Sequence, residues 1–243
     1  MKRLLLFALL SLLLVDTIST GGETKVTKVA IIDTGLDLND PRFKNKLCPN
    51  KHWDFVDNDA YPQDIHGHGT HVAGLISQYA EGAKFCLMIF KYYEEKASGA
   101  VNIQRMKQAM KIAVKLGADV VNISGGGPSY DIEEFDIIKT NPKVTFVVAA
   151  GNESKNIDTV EGAYFPASYS ADNLIRVGSL EKCNFKLRSS NFGSKVTAWE
   201  IGLANSTLPG GRYGHMAGTS QATAIRTGKI LSGKASSKCN PTF

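Results

Sequence analysis

The 243-residue sequence has no apolar run long enough to cross a membrane, few cysteines and no large excess of charge. Its longest apolar run covers residues 4–15, whereas a spanning helix needs about 20 residues. The 28 Lys and Arg residues are interspersed with 23 Asp and Glu residues and form no basic stripe. The four cysteines are too widely spaced for the close pairs of a structural zinc site: Cys48, Cys86, Cys183 and Cys239. These absences argue against a membrane span, nucleic-acid binding and a zinc-finger fold.

The N-terminus has the features of a secretory signal peptide. Lys2 and Arg3 precede the apolar run, and the small residues Thr17 and Ser19 suit the positions before a cleavage site. We therefore predict a signal peptide over residues 1–19 and one globular domain over residues 20–243, with an uncleaved N-terminal anchor as the alternative. In an exported chain the four cysteines allow two disulfides in three possible pairings, and the sequence does not choose among them.

Short apolar segments rich in β-branched residues alternate with a helical pattern between about Asn102 and Leu116. The strand candidates are Val26 to Ile32, Phe85 to Phe90, Asp119 to Ile123, Val144 to Ala149 and Leu174 to Val177. This alternation predicts an α/β fold, a doubly wound and mostly parallel sheet with helices on both faces. Such sheets bind ligands at the carboxyl ends of their strands, so Asp33, Ser124 and Asn152, each placed after a strand, are site candidates.

Three motifs carry the candidate chemistry. In chain order they are Asp33-Thr34-Gly35, the run HGTHVAG that begins at His68, and the run GTSQA that contains Ser220. Together they resemble the three signatures of the subtilisin family of serine proteases, including its thermitase-like members, and the resemblance extends from about Lys25 to Ala224. It implies a subtilisin-like fold and a secreted serine endopeptidase, with residues 20–243 as the peptidase domain and Asp33, His68 and Ser220 as the catalytic triad.

The chemistry of proteolysis requires these residue types. A serine hydroxyl is a poor nucleophile at neutral pH, so a base must accept its proton, and an imidazole has a suitable pKa. A carboxylate on the other ring nitrogen holds the tautomer and stabilises the imidazolium. His68 and Asp33 are the candidates for these roles. Taken alone, Asp33-Thr34-Gly35 would also suit a turn, and Ser220 would suit a helix N-cap.

Other segments resemble the family's binding sites. Asn152 corresponds to the residue whose side chain donates to the developing oxyanion, with the backbone N–H of Ser220 as second donor, although Asn after Gly also forms turns. Ser124, Gly125 and Gly126 correspond to a strand end that pairs with an extended peptide. Tyr164 corresponds to the base of the pocket for the residue before the scissile bond, where we expect it to shorten the pocket.

The resemblance implies no required cofactor. One acidic loop does resemble a calcium site of thermitase-like members, with Asp54, Asp57, Asp59 and Gln63 as candidate ligands, and a solvated acidic loop is the alternative. We expect polypeptide substrates, no nucleic-acid partner, no membrane association after removal of the signal peptide, and a monomer.

Rival chemistries lack necessary residues. His66, His68 and His71 superficially match the histidine cluster of metallo-β-lactamase-like hydrolases, but Thr70 replaces its required Asp. An aspartic protease needs two carboxylates that share a proton, and the chain has one Asp-Thr-Gly motif. A catalytically silent binding module of the same fold is the non-enzymatic alternative, because a fold does not guarantee a function.

Overall fold

The computed structural model describes residues 25–239 and residue 241, and the predicted signal peptide lies outside the described residues. The main sheet has eight strands, with seven in the order β2-β3-β1-β4-β5-β6-β7 and β8 paired with β6. Neighbouring strands are parallel except the antiparallel pair β6-β7. The strands are β1 (Thr27–Asp33), β2 (Trp53–Asp54), β3 (Phe85–Lys91), β4 (Val120–Ile123), β5 (Thr145–Ala149), β6 (Leu174–Lys182), β7 (Phe185–Lys186) and β8 (Ala198–Ile201). A separate antiparallel hairpin is formed by β9 (Leu203–Leu208) and β10 (Arg212–Ala217).

Two helices cover each face of the sheet. They are α1 (His68–Tyr79), α2 (Gly99–Lys115), α3 (Ile132–Lys139) and α4 (Thr219–Leu231). The apolar residues of α2 and α3 share one core cluster with alternate residues of β1 such as Ala30 and Ile32. The apolar residues of α1 and α4 share the other cluster with Val29 and Ile31. Because successive strand residues point to opposite faces, both faces are buried, and the predicted α/β architecture is confirmed.

The predicted elements match the buried parts of the structure. Four predicted strands begin or end within one residue of β1, β3, β4 and β5, because each coincides with an apolar run. The fifth is longer than predicted, since β6 continues through buried residues that pair with β8 and ends in exposed Glu181 and Lys182, where it pairs with β7. The β9-β10 hairpin was not predicted, because its residues show no regular alternation of apolar and polar side chains and only Ser206 and Thr207 are buried.

Two disulfides connect distant parts of the chain. Cys48 pairs with Cys86 at the start of β3, and Cys183 pairs with Cys239, which joins the β6-β7 turn to the segment that follows α4. The structure thereby selects one of the three pairings that the sequence allowed. Within residues 25–239, no helix combines the length and apolarity that a bilayer crossing requires.

Candidate active site

The ends of three adjacent strands and the starts of two helices meet at one edge of the sheet. β1, β4 and β5 are parallel neighbours, so the polar residues that end or follow them, Asp33, Ser124 and Asn152, lie at the same edge. At the opposite edge, the Ser232 hydroxyl at the end of α4 donates to the Tyr79 carbonyl at the end of α1, over 2.9 Å. The two packed helices therefore run side by side with their N-termini at the same edge as the strand ends.

Asp33 and His68 form a hydrogen-bonded pair. His68 Nδ1 lies 2.7 Å from Asp33 Oδ1, and the Asp33 side chain is 5% exposed. The close approach of α1 to the turn after β1 requires a glycine, since a Cβ on Gly69 would lie 2.1 Å from the Gly35 carbonyl oxygen. The glycine beside His68 thus lets the imidazole reach the carboxylate.

The environment of His68 favours its protonated form. Burial alone would lower the pKa of His68, but the charge of Asp33 and the hydrogen bond to it raise the pKa, and the charge of Asp64 adds to this effect. The net result is a pKa above the ordinary histidine value. An imidazolium that forms during a reaction would be stabilised in place by these carboxylates.

Asp64 is a positioning residue that sequence analysis missed. Its buried carboxylate accepts hydrogen bonds from the backbone N–H groups of His66, Gly67 and Thr70 and from the hydroxyls of Thr34 and Thr70. It therefore joins the turn after β1 to the first turn of α1, where His68 begins the helix. The available signal was an Asp four residues before His68, where a carboxylate can satisfy the free N–H groups of a helix start.

Ser220 lies in the first turn of α4 beside the Asp33–His68 pair. Its hydroxyl donates to the Ser124 carbonyl oxygen over 2.9 Å, and among the described residues it makes no hydrogen bond with His68. Ser124 lines a cavity of about 220 Å³ together with Asp33 and His68. The Ser220 hydroxyl would turn from Ser124 towards this cavity by a change of its χ1 rotamer. The expected hydrogen bond between Asp33 and His68 is thus present, whereas the Ser220 hydroxyl is hydrogen-bonded to Ser124 and not to His68.

The side-chain amide of Asn152 is hydrogen-bonded to Thr219, the first residue of α4. Its Oδ1 accepts hydrogen bonds from the backbone N–H of Thr219 over 2.9 Å and from the Thr219 hydroxyl over 3.2 Å. Because an N–H group can only donate, the amide oxygen faces Thr219 and the NH₂ group points elsewhere. Within the described chain this NH₂ group has no hydrogen-bond partner, and the residue is exposed. The backbone N–H of Ser220, in the first turn of the same helix, also lacks an intrahelical acceptor.

The segment Ser124–Gly126 follows β4 as an accessible strip of backbone. Gly125 and Gly126 make no backbone hydrogen bond to any described residue, whereas Gly127 pairs with Phe165 in both directions. Side chains are excluded here by close neighbours, since a Cβ on Gly125 would lie 2.3 Å from the Tyr92 hydroxyl oxygen. The segment can therefore present free backbone donors and acceptors to an extended chain.

The ring of Tyr164 lies between two of these strand ends. A Cβ on Gly126 would be 2.7 Å from its Cε1, and a Cβ on Gly151 would be 2.9 Å from its Cγ. Its side chain thus fills space between the segment after β4 and the segment after β5 that carries Asn152. The Tyr164 ring therefore limits the depth of any pocket between these two segments.

The residues predicted as calcium ligands do not form one oxygen cluster. The buried Asp54 carboxylate pairs with Lys91 Nζ at 2.7 Å, and Asp57 contacts the same ammonium at 3.3 Å. Asp59 accepts from the backbone N–H of Tyr61, and Gln63 Oε1 accepts from that of Leu38. Across residues 25–239, no group of three or more His, Cys, Asp or Glu side chains could hold a metal ion. The donor set does not fit calcium, since the ammonium of Lys91 already supplies the positive charge.

The remaining histidines do not converge on one point. His71 is fully buried and its Nε2 donates to the Gly214 carbonyl oxygen over 3.0 Å, while burial lowers its pKa. His66 packs edge-on against Tyr93 at the rim of the cavity beside His68. The cluster expected of a metallo-β-lactamase-like hydrolase is therefore absent from the described part of the chain.

Comparisons with known proteins agree with this geometry. A sequence model described as the Subtilase family matches residues 24–232. The thermophilic serine proteinase of Bacillus sp. (strain AK1) is 31% identical over 81% of this chain, and the match spans 49% of that protein, so the chain covers about half of its length. The major intracellular serine protease of Bacillus subtilis (strain 168) is 31% identical over 86% of this chain and 69% of its own. A crystal structure of a lanthipeptide protease superposes with a TM-score of 0.73 at 27% identity, covering 87% of this chain and 77% of the other.

Proposed function

The chain belongs to the subtilase family, and on that premise we propose that residues 20–243 form a serine endopeptidase with Asp33, His68 and Ser220 as its triad. The observation that carries the proposal is the 2.7 Å hydrogen bond between Asp33 and His68, beside the helix start that holds Ser220. A buried carboxylate paired with an imidazole next to a serine is the arrangement needed to activate a hydroxyl.

The proposed reaction proceeds through an acyl-enzyme. Ser220 Oγ attacks the scissile carbonyl carbon while His68 Nε2 takes its proton, and Asp33 stabilises the resulting imidazolium through Nδ1. His68 then gives that proton to the leaving amine as the C–N bond breaks. A water molecule, deprotonated by His68, attacks the acyl carbon, and as the bond to Ser220 Oγ breaks His68 gives that proton to Oγ and the carboxylic acid is released. No metal or cofactor takes part in these steps.

Inhibitor classes test this mechanism against its rivals. We expect cleavage of an unfolded protein such as reduced casein to stop after treatment with a serine-directed fluorophosphonate. Neither a chelator nor a transition-state inhibitor of aspartic proteases should reduce it. Loss of activity with the chelator alone would favour the metallohydrolase, and no cleavage of any peptide would favour the binding module.

We propose Asn152 as an oxyanion donor, with the Ser220 backbone N–H as its partner. Asn152→Asp should lower kcat by about 100- to 1000-fold with little change in KM, a range typical of related serine proteases. This variant keeps the oxygen that accepts from Thr219 and replaces only the NH₂ donor, so the local fold should be retained. Steady-state kinetics on a peptide anilide measure kcat and KM, and a thermal melt tests whether the variant keeps its fold. A kcat within a few-fold of the original would exclude the role.

We propose that Tyr164 limits the pocket for the residue before the scissile bond to small or medium apolar side chains. Tyr164→Gly should shift the preference at that position towards Phe and Tyr by about 10-fold or more, because removing the ring deepens the pocket. Cleavage profiling with a peptide library measures the change. Tyr164→Phe is the matched control and should leave the profile unaltered, since it keeps the ring. An unchanged profile in the glycine variant would refute the proposal.

We propose that Lys91 replaces a bound cation in the acidic loop. Its pKa is raised because the hydrogen bonds and charges of Asp54 and Asp57 outweigh the lowering by burial. Lys91→Met should leave the Asp54 carboxylate buried without a counter-ion and cost about 3 kcal/mol, a fall in Tm of about 6–12 °C. The double variant with Asp54→Asn should recover part of this loss. A chelator should not move the Tm of the unaltered protein, and a chelator-sensitive Tm would restore the calcium hypothesis.

We further propose that the enzyme is secreted as a monomer after removal of residues 1–19. The support is the signal-like N-terminal sequence and the two disulfides, which persist in oxidising compartments. One relative is named as an intracellular protease, so compartment does not follow from family. N-terminal sequencing of exported protein should begin near residue 20, with gel filtration at the monomer mass. Retention of the uncleaved chain inside cells would contradict the proposal.

A further inference from the structure

Glu134 is a buried carboxyl group that the proposed reaction does not use. It lies on α3, is 2% exposed, and contacts Tyr169, which is also 2% exposed. Its Oε1 is buried and has no hydrogen-bond partner among the described residues. The nearby ammonium of Lys107 is engaged by Asp131 at 2.8 Å and by Glu133 at 2.7 Å. Glu134 therefore has no ion-pair partner in the described part of the chain.

Other buried carboxylates in this protein are compensated. Glu200, which is 1% exposed, pairs with Lys229 at 2.6 Å. Asp64 accepts several hydrogen bonds from backbone and hydroxyl donors. Burial without a partner is costly for an ionised carboxylate and far less so for a neutral carboxylic acid. The surroundings of Glu134 therefore suit its protonated form.

The contacts of the Tyr169 hydroxyl also require a hydrogen from Glu134. The hydroxyl oxygen accepts from the backbone N–H of Asp131 over 3.1 Å, and it lies 2.9 Å from the Asp131 carbonyl oxygen and 2.7 Å from Glu134 Oε2. A tyrosine hydroxyl carries one hydrogen, so it donates fully to only one of these two oxygens. When it donates to the Asp131 carbonyl, the 2.7 Å contact needs a second hydrogen, and a carboxylic acid at Glu134 supplies it.

The contact between Glu134 and Tyr169 joins α3 to residues 164–169, a segment that borders the candidate active site. The Tyr169 ring packs on the Phe165 ring with their centroids 4.7 Å apart. The backbone of Phe165 in turn pairs with Gly127 in both directions, over 2.9 Å and 2.7 Å. Glu134 is thus linked, through one ring contact, to the strip of backbone that follows β4.

The same segment carries Tyr164, whose ring lies beside Gly126 and Gly151. The Tyr164 N–H donates to the Ser168 hydroxyl over 2.9 Å, and the Ser168 N–H donates to the Tyr164 carbonyl oxygen over 2.7 Å. These two hydrogen bonds make a tight turn that ends next to Tyr169. A shift of Tyr169 would therefore be transmitted both to the backbone strip and to the ring of Tyr164.

The electrostatic surroundings agree with a neutral Glu134. Burial raises the pKa of Glu134 to about 7, and the charge of Asp131 adds to the rise. The charge of Lys107 opposes it, as does a hydrogen bond that Tyr169 donates to the carboxylate. A hydrogen bond that Tyr169 accepts from the carboxylic acid instead favours the neutral form.

The other titratable groups around Glu134 each keep one form near neutral pH. Burial would raise the pKa of Asp131, but the hydrogen bond and charge of Lys107 lower it. Burial would lower the pKa of Lys107, but Asp131 and Glu133 raise it. The pKa of Glu133 is lowered by its hydrogen bonds to Lys107 and Lys111. Burial raises the pKa of the three nearby tyrosines, Tyr92, Tyr164 and Tyr169.

We propose that Glu134 is a positioning residue that acts as a neutral carboxylic acid, donating its O–H to the Tyr169 hydroxyl and so fixing residues 164–169 against α3. The inference goes beyond the proposed peptidase function and rests on it only where activity is measured. When Glu134 loses its proton to solvent, the carboxylate has no counter-ion and no hydrogen to donate. The contact with Tyr169 then weakens, and the segment that borders the candidate site is held less firmly.

Infrared difference spectroscopy tests the protonation state directly. Between pH 5.5 and pH 8.5 the unaltered protein should lose the carbonyl band of a buried carboxylic acid, and Glu134→Gln should lack this change. Glu200→Gln is the matched control, because Glu200 is equally buried but paired with Lys229, and it should leave the change in place. Identical difference spectra for the unaltered protein and Glu134→Gln would overturn the inference.

Thermal stability should follow the same proton. Because the pKa of Glu134 is higher in the folded protein than the ordinary Glu value, stability falls as pH rises from that value to about 7. Glu134→Gln does not titrate, and its amide can still donate to Tyr169. The Tm of this variant minus that of the unaltered protein should therefore increase by about 5–10 °C from pH 5 to pH 8.5. A difference that does not change with pH would contradict the proposal.

A third variant separates the donated hydrogen bond from the absence of charge. Glu134→Met is neutral and similar in length but cannot donate to Tyr169, so its Tm should lie below that of Glu134→Gln at both pH values. A Met variant as stable as the Gln variant would show that Glu134 donates no hydrogen bond.

Kinetics separate a positioning role from a purely structural one. The KM of the unaltered enzyme divided by that of Glu134→Gln should rise by about 3-fold or more from pH 6 to pH 9, with little change in the ratio of kcat, because the segment borders the substrate strip. His68 is common to both enzymes, so its titration cancels in these ratios. A KM ratio that does not vary with pH would overturn the positioning role. Absence of cleavage of every peptide would instead count against the proposed function and leave the infrared and Tm results standing.

Discussion

Ser220→Ala is expected to abolish proteolysis, with a fall in kcat of about 10⁶-fold, a magnitude typical of the nucleophile in related serine proteases. The reason is that the Ser220 hydroxyl adjoins Ser124, which lines one cavity with Asp33 and His68, whereas the Thr219 hydroxyl of the same helix start is engaged by Asn152 Oδ1. Covalent labelling by a fluorophosphonate should disappear at the same time. Both are measured on purified protein, by peptide anilide hydrolysis and by mass spectrometry of the labelled chain.

The control for this experiment is a serine at the far end of the same helix. Ser232→Ala removes a hydroxyl that donates to the Tyr79 carbonyl and should cost stability while leaving labelling at Ser220 intact. Ser220→Ala should fold normally, because the hydroxyl it removes makes one hydrogen bond, to the Ser124 carbonyl. Labelling that persists in a folded Ser220→Ala protein would assign the nucleophile to another residue and end the proposed mechanism.

Asp33→Asn is expected to lower kcat/KM by about 10⁴-fold at neutral pH, because the amide cannot stabilise the imidazolium or hold the required tautomer. It should also change the pH profile. In the unaltered enzyme the base acts when His68 is neutral, so activity rises with pH through a pKa above the ordinary histidine value. Without the charge of Asp33, burial acts with less opposition and lowers the pKa of His68. The rising limb of the residual activity should therefore move to lower pH.

A second buried carboxylate provides the comparison for this profile. Asp40→Asn removes a carboxylate that pairs with Arg42 and is not among the groups that shift the pKa of His68, so it should lower stability without moving the rising limb. The measurement is kcat/KM from pH 5 to pH 9 for both variants. A rising limb that does not move in Asp33→Asn would show that this carboxylate does not set the pKa of His68.

The buried elements could be read from the sequence because burial leaves a simple pattern. Thr27–Asp33 and Thr145–Ala149 are apolar runs closed by polar residues, and parallel strands covered on both faces have this composition. The β9-β10 hairpin was missed because its exposed side chains follow no apolar alternation. The acidic loop was interpreted as a cation site because its sequence shows the carboxylates without Lys91, which is 34 residues further along the chain than Asp57.

By itself the sequence determined the α/β class, the family and the residue types at the site, because apolar periodicity and short motifs are local properties of the chain. Only the tertiary structure decided which of these residues meet. It brought Asp33 to His68 through a glycine contact, turned the Ser220 hydroxyl to Ser124, placed Tyr164 between two strand ends and paired Asp54 with Lys91. Distances, burial and unpaired atoms arise from contacts between residues far apart in the chain, and no local pattern records them.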